Sequence, residues 1–407
     1  MSAAIAPHTV RALIAPDKFK GSLTAAEVAG ALAAGLRSAS DSSDSDSSNG
    51  AGTVHCELLP LADGGDGSVD AAVASGFRRH GCTVTGPTGQ PVHASIAFDG
   101  ATAVVEVANT CGLALLPAGR LEPLGASSRG FGEAVLFALS LNPDRIILAL
   151  GGSASTDGGM GMLTALGFRF LDAAGRPLQG SGRDLGLIAS VTGTALPELA
   201  DIELVLASDV HNPLRGPDGA PAVFGPQKGA TAAAVAALDS GLQNLIAGLG
   251  EAGFAPAASL AERPGAGSAG GIGYACLLLG ARQVSGADYF LDLLDFDSRK
   301  EGCDVVITGE GSIDDQTLAG KLPAAVARRS EGRPIIAVAG RSLLPQERWS
   351  EMSLDRVYTL AEYTDRDSSK DAELSAALLH RIGRDIGETL LLRAGGSRKI
   401  HSVSPRA

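Results

Sequence analysis

The sequence predicts an α/β protein of two domains, one of which is built from both ends of the chain. Of the 407 residues, 45% are hydrophobic but only 4% are aromatic, and 54 are glycine. This composition suits helices packed closely on sheets of Ala, Val, Leu and Ile. Strand and helix patterns alternate near both ends, whereas the region between begins with period-two strands. We therefore predict a discontinuous doubly wound domain, residues 1–80 and 288–407, interrupted by an inserted α/β domain, residues 81–287.

The first alternating unit opens with a short buried strand, residues 10–15, and a loop closed by Gly21. A helix then begins after Ser22 or Thr24, because the glutamate three residues after Thr24 completes a capping box. A second unit repeats this order, with a strand, the loop LADGGDG and a helix from about Ser68. Between the two units, the acidic serine tract at 41–48 can bury nothing, so we expect it to be solvated and assign it no chemistry.

Charge and composition argue against several classes of partner. The net charge is −12, and no basic cluster with interleaved aromatic residues occurs, which disfavours nucleic acid and anionic membrane surfaces. The five cysteines show neither a CxxC pair nor metal-ligand spacing, as is usual for reduced cytosolic proteins. No run approaches the roughly 20 apolar residues of a membrane helix. We expect a cytoplasmic protein acting on small molecules, and its oligomeric state stays open.

Five glycine-containing loops follow predicted strands and offer similar side chains. In open parallel sheets ligands bind beyond the carboxyl ends of strands, where helix N-termini direct amides outward. The loops supply, in chain order, Asp17, Lys18 and Lys20; Asp63 and Asp66; Ser153, Ser155, Thr156 and Asp157; Asp209 and Asn212; and Gly309, Glu310, Ser312, Asp314 and Lys321.

Together these loops favour phosphoryl transfer. Glycine lets backbone amides approach phosphate, lysine neutralises the transferred charge, and carboxylates hold Mg²⁺ or accept a hydroxyl proton. Each loop alone could be an ordinary turn, since turns use the same residues. A GxGxxG at residues 265–270 leaves a nicotinamide-dependent hydroxy-acid dehydrogenase as an alternative, provided that residues 258–264 form a strand. A non-catalytic sensor of small acids is a second alternative.

The loops lie within six longer segments: APDKFKGSLTAAEVA, LADGGDGSVDA, GGSASTDGGMGMLTALG, SDVHNPLRGPDGAPAVFGPQKGA, PGAGSAGGIG and DVVITGEGSIDDQTLAGKLP. With these segments, in this order, the chain resembles the glycerate kinase type-1 family. Two positions depart from the family pattern. Asp66 stands where relatives usually carry Glu, and Thr156 precedes Asp157 where they carry Asn. Both departures keep a polar group, so they affect fine geometry and not the expected reaction.

The resemblance implies ATP-dependent, Mg²⁺-dependent phosphorylation of D-glycerate, with 2-phosphoglycerate as the product and 3-phosphoglycerate as the alternative. It also implies a Rossmann-like or flavodoxin-like discontinuous domain with an inserted α/β domain. We hypothesise that Asp17 or Asp209 takes the hydroxyl proton, while Lys18 and Lys20 neutralise substrate charge. The expected metal ligands are Asp63, Asp66 and Glu310. The expected substrate and nucleotide contacts are Ser153, Ser155, Thr156, Asp157, Asn212, Lys228, Gly309, Ser312 and Asp314.

Overall fold

The computed structural model describes residues 9–41, 52–194, 196–318 and 320–394. The predicted acidic serine tract lies outside these ranges except for Asp41, which ends a helix. In the described ranges the strands are β1 (Thr9–Pro16), β2 (Thr53–Leu58), β3 (Arg78–Thr85), β4 (Pro91–Phe98), β5 (Thr102–Glu106), β6 (Arg145–Ala149), β7 (Arg169–Leu171), β8 (Ser190–Thr192), β9 (Glu203–Ala207), β10 (Arg282–Val284), β11 (Val305–Ile313), β12 (Ile335–Ser342) and β13 (Arg356–Thr359).

The α-helices of the same ranges are α1 (Ala25–Asp41), α2 (Ser68–Ala74), α3 (Ala108–Cys111), α4 (Arg129–Leu139), α5 (Met160–Ala165), α6 (Ala220–Phe224), α7 (Ala232–Glu251), α8 (Ala257–Ala261), α9 (Ser268–Leu278), α10 (Gly286–Leu293), α11 (Phe296–Lys300), α12 (Asp315–Leu318), α13 (Leu322–Arg329) and α14 (Ala372–Ala394). The predicted capping box is present at the start of α1. The Thr24 N–H and hydroxyl both donate to Glu27 Oε2 at 2.8 Å.

The chain forms two compact units, of which the first comprises the described residues up to Leu61 and from Leu291 onward. Its five strands form a parallel sheet in the order β13-β12-β11-β1-β2. Counted within the unit this is the 2-1-3-4-5 order of flavodoxin-like sheets. One core joins α1 and α14 to the sheet, and a second joins α13 and the segment before β13 to it. The predicted α/β class with a flavodoxin-like parallel sheet is confirmed.

Helices α1 and α14 pack most closely at Gly35, where an added Cβ would lie 2.0 Å from the carbonyl oxygen of His380. We expect Gly35→Ala to lower the free energy of unfolding by about 1–3 kcal/mol, because the backbones must separate. Gly30 lies in the same helix with nothing within 4 Å of its Cβ position. Gly30→Ala should instead raise the free energy of unfolding by about 0.5–1 kcal/mol. Urea unfolding of both variants checks this, and equal stability of Gly35→Ala and wild type would contradict it.

The second unit spans residues 62–290 and contains a six-stranded sheet in the order β10-β9-β6-β5-β4-β3. Strands β5, β6, β9 and β10 run parallel, and β3 and β4 form an antiparallel hairpin that pairs with β5. Helices α4, α5, α7 and α9 contribute to one large hydrophobic core with this sheet. The carboxyl ends of β6 and β9 are therefore neighbours, and this edge positions part of the candidate site.

The observed units divide the chain after Leu61 and after Phe290, whereas the sequence placed the domain boundaries after residues 80 and 287. The difference has a physical reason at the first boundary. Helix α2 packs on β4 and β5, and β3 pairs with β4 along its whole length. The segment from 62 to 80 therefore packs with the second unit, although its strand–loop–helix texture resembles the first.

Helix α7 departs from the expectation that no apolar run has the length of a membrane span. By length and composition alone, the 20 residues of α7 are long and apolar enough to cross a membrane. Its leucines Leu238, Leu242, Leu245 and Leu249 are nevertheless buried in the core of the second unit. The apolar composition of α7 is thus explained by packing inside this unit.

The GxGxxG at residues 265–270 does not follow a strand. The preceding segment contains helix α8, Ala257–Ala261, so the condition for the dehydrogenase alternative is not met. The glycines instead allow close packing of chain segments. A Cβ at Gly267 would lie 2.3 Å from the Pro213 carbonyl oxygen, and one at Gly270 would lie 2.1 Å from that of Ser155.

Candidate active site

The residues singled out from the sequence fall into two groups, one in each compact unit. The first unit carries Asp17, Lys18, Lys20, Gly309, Glu310, Ser312, Asp314 and Lys321. The second unit carries Asp63, Asp66, Ser153, Ser155, Thr156, Asp157, Asp209, Asn212 and Lys228.

The first group lies where β1 and β11 run side by side. The strand order reverses between these neighbours, which is the place where open α/β sheets bind ligands. Pro16 pairs with Gly309, and the Asp17 amide donates to the Gly309 carbonyl oxygen at 2.8 Å. The sheet therefore brings Asp17, which follows β1, close to Glu310 in β11.

The loop after β1 folds back on itself. The Phe19 and Leu23 backbones bond to each other, and Gly21 adopts a φ of 93° that closes the turn as expected from the sequence. Asp17 and Lys18 are half-buried at its base, and Lys20 is exposed. This loop therefore presents one carboxylate and two ammonium groups at the carboxyl end of β1.

Glu310 is buried, with 9% of its surface exposed. Its Oε1 accepts a hydrogen bond from the hydroxyl of Thr317, itself fully buried. The pKa of Glu310 is raised to about 8, mainly by burial; the charges of Asp17 and Asp314 contribute to the rise, while Thr317 and Lys321 oppose it. Sequence reasoning missed Thr317, because a lone threonine in a polar loop carries no signal of its own.

The raised pKa of Glu310 predicts a pH-dependent stability. From its ordinary value of 4.5 up to about 8, the folded chain keeps a proton that the unfolded chain releases, so stability falls as pH rises through this window. Glu310→Gln removes this dependence while retaining an oxygen that can accept from Thr317. We expect the variant to be more stable than wild type above pH 8, by on the order of 4 kcal/mol, with the difference vanishing near pH 4.

Urea unfolding of both proteins between pH 4 and pH 9 measures this difference. Glu373→Gln, an exposed change in the first turn of α14, is the matched control for loss of a glutamate. A wild-type minus Glu310→Gln difference that does not change with pH would contradict the prediction.

In the second unit, the DGGDG loop packs against the carboxyl ends of β6 and β9. The Leu150 amide donates to the Gly64 carbonyl oxygen at 2.9 Å. Gly64 has a φ of 81°, and its added Cβ would lie 2.6 Å from the Ala207 carbonyl oxygen; one at Gly151 would lie 2.5 Å from the Cα of Gly65. Gly64 and Gly65 of the loop therefore allow close backbone packing, which places Asp63 beside the strand ends.

Asp209 caps a helix with both carboxylate oxygens. They accept from the amides of Gly286 and Ala287, the first residues of α10, at 3.0 and 3.1 Å. Burial raises the pKa of Asp209, and the nearby charge of Asp63 adds to the shift. Asp63 itself accepts the Gly65 amide at 3.2 Å. The two aspartates thus lie close together, and Asp209 holds the start of α10.

Helix α2 follows the DGGDG loop and begins at Ser68, after the N-cap residue Gly67, whose φ is 95°. The amide of Val69 in its first turn donates to Glu106 Oε2 at 3.0 Å. Glu106 ends β5 and is only 4% exposed. Neither sequence pattern nor resemblance had marked Glu106, because in the sequence it belongs to an apolar strand.

Lys228 is buried beneath the loop that follows β6. Its ammonium donates to the Ser153 hydroxyl at 2.8 Å and to the Ser155 carbonyl oxygen. Burial lowers the pKa of Lys228 to about 8, against the nearby charges of Asp157 and Cys111. Gly270 lies alongside, since its added Cβ would be 2.9 Å from the Lys228 Nζ. Lys228 therefore fixes the shape of the loop from Ser153 to Ser155.

Asp157 is fully buried and accepts four hydrogen bonds. They come from the amide and hydroxyl of Ser128 at 2.8 and 2.7 Å and from the amides of Gly159 and Gly161 at 3.1 and 3.2 Å. Burial raises the pKa of Asp157, whereas these bonds lower it. Asp157 thus ties the loop to the starts of α4 and α5. Sequence reasoning missed Ser128, which precedes α4 as an ordinary capping residue would.

Two hydroxyls of the same loop have unsatisfied bonding capacity. In the described part of the chain the Ser155 Oγ and Thr156 Oγ1 atoms are buried without a hydrogen-bond partner. Asn212, in the loop after β9, donates from its side chain to the Asp218 carbonyl oxygen at 2.8 Å. Buried polar groups normally have hydrogen-bond partners, so the unpaired hydroxyls of Ser155 and Thr156 leave the loop after β6 with polar groups that lack one in the described part of the chain.

Ser128→Ala is expected to lower the free energy of unfolding by about 1–3 kcal/mol, since it removes a donor to the buried Asp157. It also removes the oxygen that accepts the Met162 amide at 2.9 Å. Ser140→Ala, at the exposed C-terminal end of α4, is the control and should cost less than about 0.5 kcal/mol. Thermal unfolding compares the three proteins, and an unchanged melting temperature for Ser128→Ala would refute the importance assigned to this bond.

Among the described residues, no three His, Cys, Asp or Glu side chains come together as a metal site. The expected metal ligands are divided, with Glu310 in the first unit and Asp63 and Asp66 in the second. Magnesium bound with a nucleotide usually takes only one or two carboxylates, and water and phosphate oxygens supply the remaining ligands.

Comparison with known proteins gives one consistent family. The model of the glycerate kinase family matches residues 12–391. A glycerate kinase from Bacillus subtilis is 39% identical over 94% of this chain and 98% of its own length. The glycerate 2-kinase of Escherichia coli is 40% identical over 81% of this chain and 85% of its own length. A crystal structure from Salmonella typhimurium LT2, assigned to glycerate kinase 2, superposes with a TM-score of 0.74 at 36% identity, covering 94% of this chain and 98% of that one.

Proposed function

Because this chain belongs to the glycerate kinase family and is an enzyme of that activity, we propose that it transfers the γ-phosphoryl group of ATP to the C2 hydroxyl of D-glycerate. The observation that carries this proposal is the placement of Asp17 beside Glu310 at the point where the strand order of the first unit reverses. The 40% identity to a protein named glycerate 2-kinase supports C2 over C3 as the phosphorylated carbon.

Asp17 is our proposed base for the substrate hydroxyl. The competing candidate, Asp209, already accepts two amides as the cap of α10, which fixes its orientation. Asp17 lies in a loop that also carries Lys18 and Lys20, so charges of both signs follow β1. We assign these lysines to the carboxylate of glycerate and to the transferred phosphoryl group. Gly309, Ser312 and Asp314 line the same end of β11 and remain proposed contacts.

We propose that the loop after β6 binds an anionic part of the substrates. Its buried Lys228 and Asp157 act as positioning residues, because they hold the loop through Ser153, the Ser155 carbonyl oxygen and Ser128. The unpaired hydroxyls of Ser155 and Thr156 are the polar groups that ligand oxygens would satisfy. Asn212 is assigned to the same role from the loop after β9.

The carboxylates fit a magnesium ion on electrostatic grounds. Burial and, to a smaller extent, the charges of Asp17 and Asp314 raise the pKa of Glu310, so a cation beside these groups would favour its ionised form. The charge of Asp63 adds to the effect of burial on the pKa of Asp209, and we propose Asp63, Asp66 and Glu310 as magnesium ligands. Bound magnesium would neutralise charge on the phosphate oxygens of ATP. We expect the enzyme to act in the cytoplasm, where ATP is available.

Formation of ADP in a coupled assay tests the two cosubstrates. We expect ADP only when D-glycerate, ATP and Mg²⁺ are all present, and we expect excess EDTA to abolish it. Full activity with EDTA would exclude the metal, and full activity with another phosphoryl donor but not ATP would exclude the nucleotide. Reduction of NAD by a small hydroxy acid would favour the dehydrogenase instead.

A further inference from the structure

A polar cavity lies within the second unit, and none of the candidate active-site residues lines it. Its volume is about 550 Å³, within the range of about 300–1,000 Å³ usual for small-ligand sites. Three chain segments form its walls: the turn between β3 and β4 at 86–90, the segment that leads into α4 at 117–129, and residues 179–184. The cavity is thus a candidate binding site in its own right.

Each of the two longer wall segments contributes arginine. Arg120 and Arg129 come from the segment before and at the start of α4, and Arg183 comes from the third segment. The acidic wall residues are already engaged. Glu122 pairs with Arg120 at 2.7 Å, and Asp184 accepts from the Ser181 amide and hydroxyl at 3.0 Å. Within the described part of the chain, Arg183 has no ion-pair partner.

Backbone hydrogen bonds hold the three segments together. The Ser127 amide donates to the Pro87 carbonyl oxygen at 2.9 Å and joins the turn to the start of α4. The Arg183 amide donates to the Leu124 carbonyl oxygen at 2.8 Å and joins the third segment to the second. The cavity is therefore preformed, so a ligand would order few additional groups on binding.

We propose that this cavity binds a small phosphate ester as a second ligand, separate from glycerate and ATP, and that binding changes the affinity of the enzyme for glycerate. The planar guanidinium of an unpaired arginine matches the oxygens of a phosphate in a bidentate geometry. A solvent-accessible cavity of this volume suits a small metabolite. A second site goes beyond the proposed function, which needs only the loops at the strand ends.

The route to the glycerate site is short. Ser127 lines the cavity, and the next residue, Ser128, donates twice to Asp157 in the loop after β6. The third segment touches the same loop, since a Cβ at Gly182 would lie 3.1 Å from the Thr156 carbonyl oxygen. A ligand that shifts either segment therefore acts on the residues that hold the loop, which is a physical basis for coupling.

Calorimetric titration of the full chain with glycerol 3-phosphate tests the site, with saturating ADP and D-glycerate present to fill the substrate sites. We expect saturable binding to wild type and about tenfold or more weaker binding to Arg183→Met. Arg183→Lys, which keeps the charge but not the fork, should lose part of the affinity. Arg169→Met, an exposed arginine of β7 outside the cavity, is the matched control and should bind as wild type.

Equal affinities of wild type and Arg183→Met, an equal loss in Arg169→Met, or no binding to wild type would overturn the site. Stronger binding of succinate than of glycerol 3-phosphate would overturn the phosphate class. The coupling is tested separately by the KM for glycerate, which glycerol 3-phosphate should change in wild type but not in Arg183→Met. An unchanged wild-type KM would overturn the coupling. A chain that lacks kinase activity yet binds the probe would contradict the proposed function and leave the site standing.

Discussion

An Asp17→Asn variant is expected to lower kcat by about 10²- to 10⁴-fold, while the KM for glycerate changes much less. Asparagine keeps the size of the side chain and can still accept the Lys18 amide, which bonds Asp17 Oδ1 at 2.7 Å. It cannot take a proton from the substrate hydroxyl. The loss should therefore appear in the chemical step and not in binding. Steady-state kinetics with ATP and D-glycerate measure both constants.

Asp304→Asn is the matched control for this substitution. Asp304 precedes β11 at the opposite end of the same strand pair, where it is exposed and accepts the Arg11 amide at 2.8 Å. Its variant should retain a kcat within about twofold of wild type, because changes at exposed sites away from a ligand have small effects. If Asp17→Asn retains kcat as well as Asp304→Asn does, Asp17 is not the base.

Lys228→Met is expected to lower kcat/KM for glycerate by about 10²-fold or more, because misplacing groups that bind substrate by even 1 Å can cost that much. Methionine fills a similar volume but leaves the Ser153 hydroxyl and the Ser155 carbonyl oxygen without their common donor. The loop after β6 then loses its fixed shape. A melting temperature near that of wild type would show that the loss is not due to unfolding.

Lys300→Met controls for the removal of a partly buried lysine, since Lys300, the last residue of α11 in the other unit, bonds Asp297. It should retain nearly full activity. The pKa of Lys228, lowered to about 8 by burial, adds a pH test. The lysine loses its charge as pH rises through 8. Glu310 titrates in the same window in both proteins, so the ratio of kcat/KM in wild type to that in Lys228→Met should fall as pH rises through 8. Activity of Lys228→Met within threefold of wild type would refute its positioning role.

Much of the fold could be predicted because local signals agreed with the tertiary structure. The box of Thr24 and Glu27, the turn at Gly21 and the helix from Ser68 all appear where the sequence indicates them. The boundary after residue 80 could not be predicted in the same way. Which sheet a strand–loop–helix unit joins depends on long-range packing, here of α2 on β4 and β5, and local patterns carry no information about that.

In the candidate site, too, local sequence patterns predicted some features and not others. The loops at the strand ends were identifiable because glycine and charged residues cluster after apolar runs, but the function of each residue within them was not. The glycines Gly64 and Gly65 pack on neighbouring backbone, and Asp157 and Asp209 bond to amides of their own chain. Ser128 donates to Asp157, Thr317 donates to Glu310, and Glu106 accepts the amide of Val69. These three residues are isolated in the sequence with no pattern around them, so only the structure reveals them.

The most direct test of the proposed reaction is the position of the phosphoryl group on the product. Wild-type enzyme is incubated with ATP, Mg²⁺ and D-glycerate carrying ¹³C, and ³¹P and ¹³C NMR spectra identify the carbon that bears the phosphate ester. We predict phosphorus coupling at C2, the signature of 2-phosphoglycerate. Coupling at C3, or no phosphorylated glycerate, would contradict the proposed reaction.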